Sequence, residues 1–175
     1  MVTQQISNWR QKNQDKEISQ KDINQIKNEA LNYLIQQQLL LNEAHKLGIQ
    51  TSKVEITNTI RSLPQFQKDE KFSAALYFQT LRAYYHLEPA EYEKIVKNNI
   101  VIQRLRRFIL SSIKVTEKEI EEEYLLNDKK KDKAEIKNQL IQDKRTLFYT
   151  EWLKTLYRNV KIKNYLPRIE KILKH

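Results

Sequence analysis

The chain has 175 residues, of which 39% are hydrophobic and 31% are charged, with one glycine, three prolines and no cysteine. So few glycines and prolines leave few tight turns, which argues against sandwiches, barrels and doubly wound sheets and predicts an all-α fold. The lack of cysteine excludes disulfides, cysteine-based zinc sites and thiol nucleophiles. The formal charge of +10 favours an acidic partner, such as nucleic acid, anionic lipid or an acidic unfolded chain, although solubility explains it equally well.

The N-terminal residues 1–17 are polar and lack helical periodicity, so we expect an extended arm or a short helix laid on the body. They contain no apolar core of the signal-peptide kind, and no apolar run in the chain approaches the roughly 18 residues of a membrane span. We therefore expect either a cytoplasmic protein or one whose numbering starts after a removed signal or anchor.

The first predicted element is a long amphipathic helix over residues 22–49, around which the rest of the chain is expected to pack. Ser19 and Asp22 have the spacing of a capping box at its start, and Gly48, the only glycine, suits a left-handed C-cap at its end. The residues predicted on its broad apolar face are Ile23, Ile26, Ala30, Leu31, Leu34, Ile35, Leu39, Leu41 and Ala44.

A short second helix is predicted from Ser52 to about Ser62. Ser52 and Glu55 repeat the capping-box spacing, and Pro64 ends the helix. The residues predicted on its buried side are Val54, Ile56 and Ile60.

A turn carrying Phe66 and Phe72 leads to a third predicted helix, over residues 73–86. The face of this helix that is predicted to belong to the core carries Tyr77, Leu81 and Tyr84. A second face, expected to be partly exposed, carries Phe78, Arg82 and Tyr85.

The fourth predicted helix opens at Pro89, where a first-turn proline belongs, and runs to about Ile113. Thr116 and Glu119 form a further capping box, which starts a short helix ending near Leu126. The residues that the fourth helix is predicted to bury are Tyr92, Ile95, Val96, Ile100, Ile102, Leu105 and Ile109.

The charged run over residues 127–133 is the clearest change of composition and predicts a solvent-exposed connection. A long last helix is predicted over residues 134–160, followed by a tail with a short extended piece and an amphipathic turn. One apolar stripe of this helix carries Ile141, Phe148, Trp152, Leu156 and Val160.

The order of these features resembles the N-terminal domain of the SurA and PpiD family of bacterial chaperones. In that family a long helix ending in Gly-Ile is followed by a short helix, a proline, a phenylalanine, a turn ending in Lys-Phe, a tyrosine-bearing helix and a proline-opened helix. The corresponding features of this chain are Ala30 to Ile49, Ile60, Pro64, Phe66, Lys71 and Phe72, Tyr77 and Leu81, and Pro89 to Leu105.

The sequence departs from the family pattern at two places. Glu70 replaces the glycine of the family's Gly-Lys-Phe turn, so the turn is expected to take a different backbone conformation. In most relatives a parvulin-type prolyl isomerase domain lies between the positions of Tyr124 and the last helix, whereas this chain has only the short charged run.

The resemblance implies four parts. Residues 1–17 are an N-terminal arm, and residues 18–126 are a SurA-N-like helical chaperone domain. Residues 127–133 are the charged connection where a parvulin domain would be inserted. Residues 134–175 are a C-terminal helix and tail that pack back on the same domain and close it.

No catalytic, cofactor or metal site is predicted. The three histidines, His45, His86 and His175, lie far apart, and none has an acid or second histidine at ligand spacing. A single glycine makes a nucleophile elbow unfavourable and leaves no glycine-rich phosphate loop.

The strongest signal for nucleic-acid binding is a group of basic residues on the fourth helix. Its members are Lys94, Lys97, Arg104, Arg106 and Arg107. Because a helix turns by about 100° per residue, the three arginines do not form one row, and no recognised helix-turn-helix or stacking platform accompanies them. A solvated face with local ion pairs is therefore the favoured interpretation.

Exposed aromatic side chains suit the binding of unfolded segments, because they contribute large apolar contacts at little entropic cost. The residues predicted to contact such clients are Phe66, Phe72, Phe78, Arg82 and Tyr85. The alternative for Phe78 and Tyr85 is that they pack under the C-terminal helix.

The resemblance implies an ATP-independent chaperone that holds unfolded outer-membrane or secreted proteins in a hydrophobic groove, without prolyl isomerase activity. It also implies a periplasmic or otherwise extracytoplasmic location, with the signal or anchor not present in this chain. Two alternatives stay open, a helical adaptor that binds one defined partner and, less favoured, a basic nucleic-acid-binding protein. Exchange of the C-terminal helix between two copies would give a homodimer.

Overall fold

The computed structural model describes residues 19–126 and 131–162, and the secondary structure of these residues is almost entirely helical. They form six α-helices, which are α1 (Gln20–Lys46), α2 (Lys53–Ser62), α3 (Ala74–Thr80), α4 (Pro89–Leu110), α5 (Glu117–Leu126) and α6 (Lys133–Arg158). The strands in this part of the chain, β1 (Gln67–Lys68) and β2 (Lys71–Phe72), pair as a small antiparallel hairpin. The predicted all-α fold is confirmed.

The described residues fall into two compact units, residues 19–107 and residues 108–162, and the division lies within α4. Helix α5 therefore belongs to the same unit as α6. The predicted arm over residues 1–17, residues 127–130 of the predicted connection and the tail from residue 163 lie outside the described residues. The domain organisation expected from the sequence, including the closing role of the last helix, stays a prediction.

Both predicted caps of α1 are confirmed. At the start, the Asp22 amide donates to Ser19 Oγ at 3.2 Å, and the Ser19 amide donates to Asp22 Oδ2 at 3.0 Å. At the end, Gly48 has φ +69°, its amide donates to the His45 carbonyl at 3.0 Å, and the Ile49 amide donates to the Ala44 carbonyl at 2.9 Å. These two bonds form a Schellman motif, which requires the left-handed residue that glycine adopts without strain.

The buried seam of α1 differs from the predicted face. Its buried residues are Ile26, Ala30, Leu40 and Ala44. Leu34, which was predicted on this face, is half exposed. Each residue turns an α-helix by about 100°. Viewed down the helix axis, Ile26, Leu40 and Ala44 therefore lie to one side of Ala30, whereas Leu34 lies to the other side of Ala30.

The core of the first unit is an aromatic and aliphatic cluster. Its buried members are Ile60, Phe66, Tyr77, Leu81, Tyr92 and Val96, contributed by α2, the 3₁₀ turn Pro64–Phe66, α3 with its continuation, and α4. Phe66 is 0% exposed, and its ring meets those of Tyr77 and Tyr92 edge-on at centroid distances of 5.0 and 5.5 Å. Of the other residues predicted to be buried on α2 and α4, Val54 and Ile95 are exposed.

Helix α3 continues as a π-helical turn, Leu81–Tyr85, which the sequence analysis did not predict. A π turn takes more residues per turn than an α-helix, so side chains beyond Leu81 are rotated relative to α-helical spacing. The prediction that Tyr84 lies in the core is therefore wrong, because Tyr84 is 73% exposed. Tyr85 instead lies against Tyr92, with ring centroids 5.6 Å apart.

The hairpin turn between β1 and β2 has left-handed backbone at both central residues, with φ 53° at Asp69 and 60° at Glu70. This is the backbone region that two-residue hairpin turns use and that glycine favours. Glu70 thus takes the left-handed conformation that a glycine adopts without strain, and the expected difference from the family's turn stays a prediction.

In the second unit α5 contacts α6, and Ile120 and Ile136 are buried. The predicted capping box of α5 is confirmed, because the Thr116 amide donates to Glu119 Oε2 at 2.9 Å and the Glu119 amide donates to Thr116 Oγ1 at 3.3 Å. Lys144 on α6 also donates to the Glu119 carboxylate. The hydrogen bond from Lys144 and those from Thr116 lower the pKa of Glu119 from 4.5 to about 2.

Replacing Glu70 with glycine is expected to stabilise the protein. The left-handed conformation costs a residue with a Cβ atom about 1 kcal/mol, and glycine avoids that cost, so Glu70→Gly is expected to raise the free energy of unfolding by about that amount. Urea denaturation measures the change. Glu70→Ala is the matched control, because it removes the charge but keeps the Cβ atom. An equal gain in both variants would contradict the backbone explanation.

The carboxylate of Glu119 is expected to stabilise the folded protein in a pH-dependent way. Because its folded-state pKa lies below the ordinary value of 4.5, this stabilisation is fully present above pH 4.5 and is lost as the pH falls towards about 2. The difference in free energy of unfolding between the wild type and Glu119→Gln should therefore shrink over this range. Glu122→Gln, which removes an exposed carboxylate 3.7 Å from Lys118 on the same helix, serves as the control. A difference independent of pH would contradict the assignment.

Candidate functional site

A groove of about 490 Å³ in the first unit is lined by residues of α2, the turn after it and α4. Its floor is apolar and consists of Leu63, Tyr92, Val96 and Ile100, of which Tyr92 and Val96 are buried. Exposed amide side chains, those of Gln65, Asn99 and Gln103, form much of its rim. The groove therefore combines an apolar base with hydrogen-bonding groups along its edge.

Helix α4 supplies most of this surface through two rows of residues at four-residue spacing. Tyr92, Val96 and Ile100 form the floor row, and Asn99, Gln103 and Arg107 form the rim row. Residues four apart lie one above the other on a helix, so each row presents one continuous strip. The sequence analysis did not identify the amide row, although the spacing of these residues was visible in the sequence.

An ion pair joins α2 to α4 beside the groove. Arg104 Nη2 donates to both carboxylate oxygens of Glu55 at 2.6 Å, and Arg104 also donates to the Gln50 carbonyl. Thr51 donates its hydroxyl hydrogen to the same carboxylate. The hydrogen bond from Thr51 and the Arg104 guanidinium lower the pKa of Glu55. The interpretation of the helix arginines as partners in local ion pairs is confirmed for Arg104.

The predicted client-contact residues lie in or beside one aromatic network. Phe66 is at its buried centre and has no exposed surface, so it is excluded from client contact in this conformation. Phe72 is half-buried, with its ring 5.9 Å from that of Tyr77 and the Arg61 guanidinium 5.6 Å from its centroid.

The exposed margin of the network consists of Phe78 and Tyr85. Phe78 is 51% exposed with its ring 5.4 Å from Tyr77, and Tyr85 is 44% exposed against Tyr92. Arg82, on the π turn between them in sequence, is also exposed. Both aromatic side chains therefore join the buried network on one side and offer apolar surface on the other.

The buried phenols of the network are in unusual environments. Burial raises the pKa of Tyr77, and its hydroxyl has no hydrogen-bond partner among the described residues. Burial also raises the pKa of Tyr92, and a hydrogen bond with the Gln65 side chain on the groove rim offsets only part of this rise. Both hydroxyls are therefore neutral at physiological pH, and neither tyrosine adds charge to the groove.

The described residues contain no cluster of three or more histidine, aspartate or glutamate side chains placed to hold a metal ion. None of the helices in the described ranges is both long enough and apolar enough to cross a bilayer.

Comparison with known proteins gives one family. The model of the family described as the SurA-like N-terminal domain matches residues 1–106. No curated protein and no solved structure matches the chain. The matched segment contains the aromatic network and every residue that lines the groove except Arg107.

The burial of Phe66 and the exposure of Phe78 predict destabilising effects of very different size. Phe66→Ala is expected to lower the free energy of unfolding by about 3–5 kcal/mol, because it leaves a cavity between two buried rings. Phe78→Ala is expected to lower it by less than about 1 kcal/mol, since half of the side chain is already in water. Urea denaturation of both variants measures the difference. A small effect at Phe66 would contradict its central place in the core.

Proposed function

Because the chain belongs to the family of SurA-like N-terminal domains, we propose that it is an ATP-independent chaperone that holds unfolded polypeptide segments and has no prolyl isomerase activity. The family makes it a chaperone-related protein. The observation that carries the finer proposal is the open apolar groove, with its amide rim, beside an exposed aromatic margin in the matched segment.

The chemistry of the groove suits a client of almost any sequence. An amide side chain has both donor and acceptor groups, so Gln65, Asn99 and Gln103 can hydrogen-bond to the backbone of an extended segment whatever its side chains are. The apolar floor takes the client's apolar side chains, since their transfer from water is favourable and non-directional. Affinity is then broad and modest, as a holding chaperone requires.

The aromatic margin adds contact area next to this groove. Phe72, Phe78 and Tyr85 are braced by buried rings, so they lose little conformational freedom when a client covers them. Arg82 places a positive charge beside them, which favours acidic segments of an unfolded chain. These four residues are the proposed client contacts outside the groove.

Binding and release in this proposal need no nucleotide. The one glycine of the sequence, Gly48, serves the C-cap of α1, and a phosphate-binding loop needs several. Release then follows from the weakness of the contacts. By analogy with the family, the proposed clients are outer-membrane or secreted proteins in an extracytoplasmic compartment.

The test is light scattering from a chemically unfolded client, with and without an equal molar amount of this protein. We expect suppressed scattering with several unrelated clients and no prolyl isomerase activity in the same sample. Phe78→Ser and Tyr85→Ser should each weaken suppression, because each removes about 1 kcal/mol of apolar contact, or roughly fivefold in affinity. Phe108→Ser is the matched control, since Phe108 is a 61% exposed aromatic residue outside both surfaces.

Other outcomes would count against the proposal in different ways. No suppression with any of several clients, together with tight binding of one protein, would favour the adaptor. Prolyl isomerase activity in the sample would contradict the part of the proposal that denies this activity to the protein. Binding of RNA or DNA that weakens steeply with salt would favour a nucleic-acid-binding protein.

A further inference from the structure

Two charged side chains, those of Glu55 and Arg107, line the groove. The carboxylate of Glu55 is held by Arg104 at 2.6 Å through both oxygens, and Arg104 is not part of the groove lining. The negative charge of Glu55 is therefore balanced by its partner. A client in the groove would meet a neutralised pair at this position.

Arg107 differs, because it has no such partner in the part of the chain that the structure describes. Among the described residues no carboxylate lies within ion-pair distance of its guanidinium, and its side chain is exposed. Its charge is the one in the groove lining that a bound chain can still neutralise. A guanidinium presents several donors in a fixed fork that matches a carboxylate.

Arg107 lies on the same helix as most of the apolar floor, at a defined distance from it. It stands seven residues after Ile100 on α4, which is about 10 Å along the helix axis at 1.5 Å per residue. A chain in the polyproline II conformation, a major conformer of unfolded chains, covers that distance in about three residues at 3.1 Å per residue, and with three residues per turn its side chains three residues apart lie on the same side. When one client side chain contacts Ile100 on the floor, the client side chain about three residues further along therefore lies beside Arg107.

We propose that Arg107 determines the specificity of the groove, which selects unfolded segments carrying an aspartate or glutamate about three residues from an apolar side chain. This inference rests on the proposed function and names the client chemistry of the same site. The apolar residue occupies the floor of Tyr92, Val96 and Ile100, the backbone meets the amide rim, and the carboxylate pairs with Arg107.

The expected preference is modest. An exposed ion pair at the rim of a binding site contributes little, so a segment with the acid should bind roughly two- to fivefold more tightly than its amide counterpart at low salt. The preference should shrink as salt is added, because the pair is open to solvent and is screened.

The experiment uses three fluorescein-labelled peptides that differ at one position, three residues from a leucine, where they carry glutamate, glutamine or lysine. Fluorescence anisotropy gives the affinity of each peptide for the full chain. The variants are Arg107→Gln and Arg107→Glu. Lys97→Gln is the matched control, because Lys97 is an exposed cation on the same helix that does not line the groove.

We expect the wild type and Lys97→Gln to prefer the glutamate peptide, Arg107→Gln to show no preference, and Arg107→Glu to prefer the lysine peptide. Thermal unfolding of each variant checks that the fold is retained, and if Arg107→Glu does not fold, the comparison with Arg107→Gln decides. Aggregation suppression is measured in parallel.

Three results would overturn the inference. If the wild type binds the glutamate and glutamine peptides equally and still suppresses aggregation, the proposed specificity is wrong but the proposed chaperone function is not affected. A preference that survives in Arg107→Gln would assign it to the overall positive charge. Failure to bind any peptide, together with failure to suppress aggregation, would remove the proposed function and the inference with it.

Discussion

The first compact unit depends on the burial of Phe66 between the rings of Tyr77 and Tyr92. This one side chain belongs to a short turn, yet it makes edge-on contacts at 5.0 and 5.5 Å with residues of α3 and α4. Three residues of the same unit take left-handed backbone conformations that side chains disfavour, Asp69 and Glu70 in the hairpin and His86 after the π turn. The chain reverses at both places, and the reversals bring the turn, α3 and α4 together. The burial of the aromatic cluster offsets the strain at these residues.

The same arrangement places the proposed binding surfaces. Tyr92 is at once a wall of the buried cluster and part of the groove floor, so packing of Phe66 and shape of the groove are linked through one residue. Arg104 and Glu55 hold α2 against α4 beside the groove. The polar side chains along the rim are hydrated when the groove is empty, so little is gained by closing it. An open groove of this kind suits the weak and varied clients of the proposed function.

Two arginines near the end of α4 show how the tertiary structure gives different roles to residues of the same type. Arg104 is an internal partner of Glu55, whereas Arg107, three residues later, lines the groove with its charge unmatched by the described carboxylates. A count of basic residues treats them alike. Their roles differ because neighbouring turns of the helix face different surroundings.

The sequence by itself determined what depends on local chemistry. Its composition indicated the all-α class, the serine, threonine and glycine signals placed the caps of α1, α2 and α5, and the order of motifs identified the family. It did not predict the π turn, the exposure of Tyr84, the burial of Phe66 or the left-handed Glu70. Periodicity assumes a regular helix, and a single extra residue in one turn changes which side chain meets the core. Which face of a helix or turn is buried depends on the segments that pack against it, and these segments are distant in the sequence and meet only in the tertiary structure.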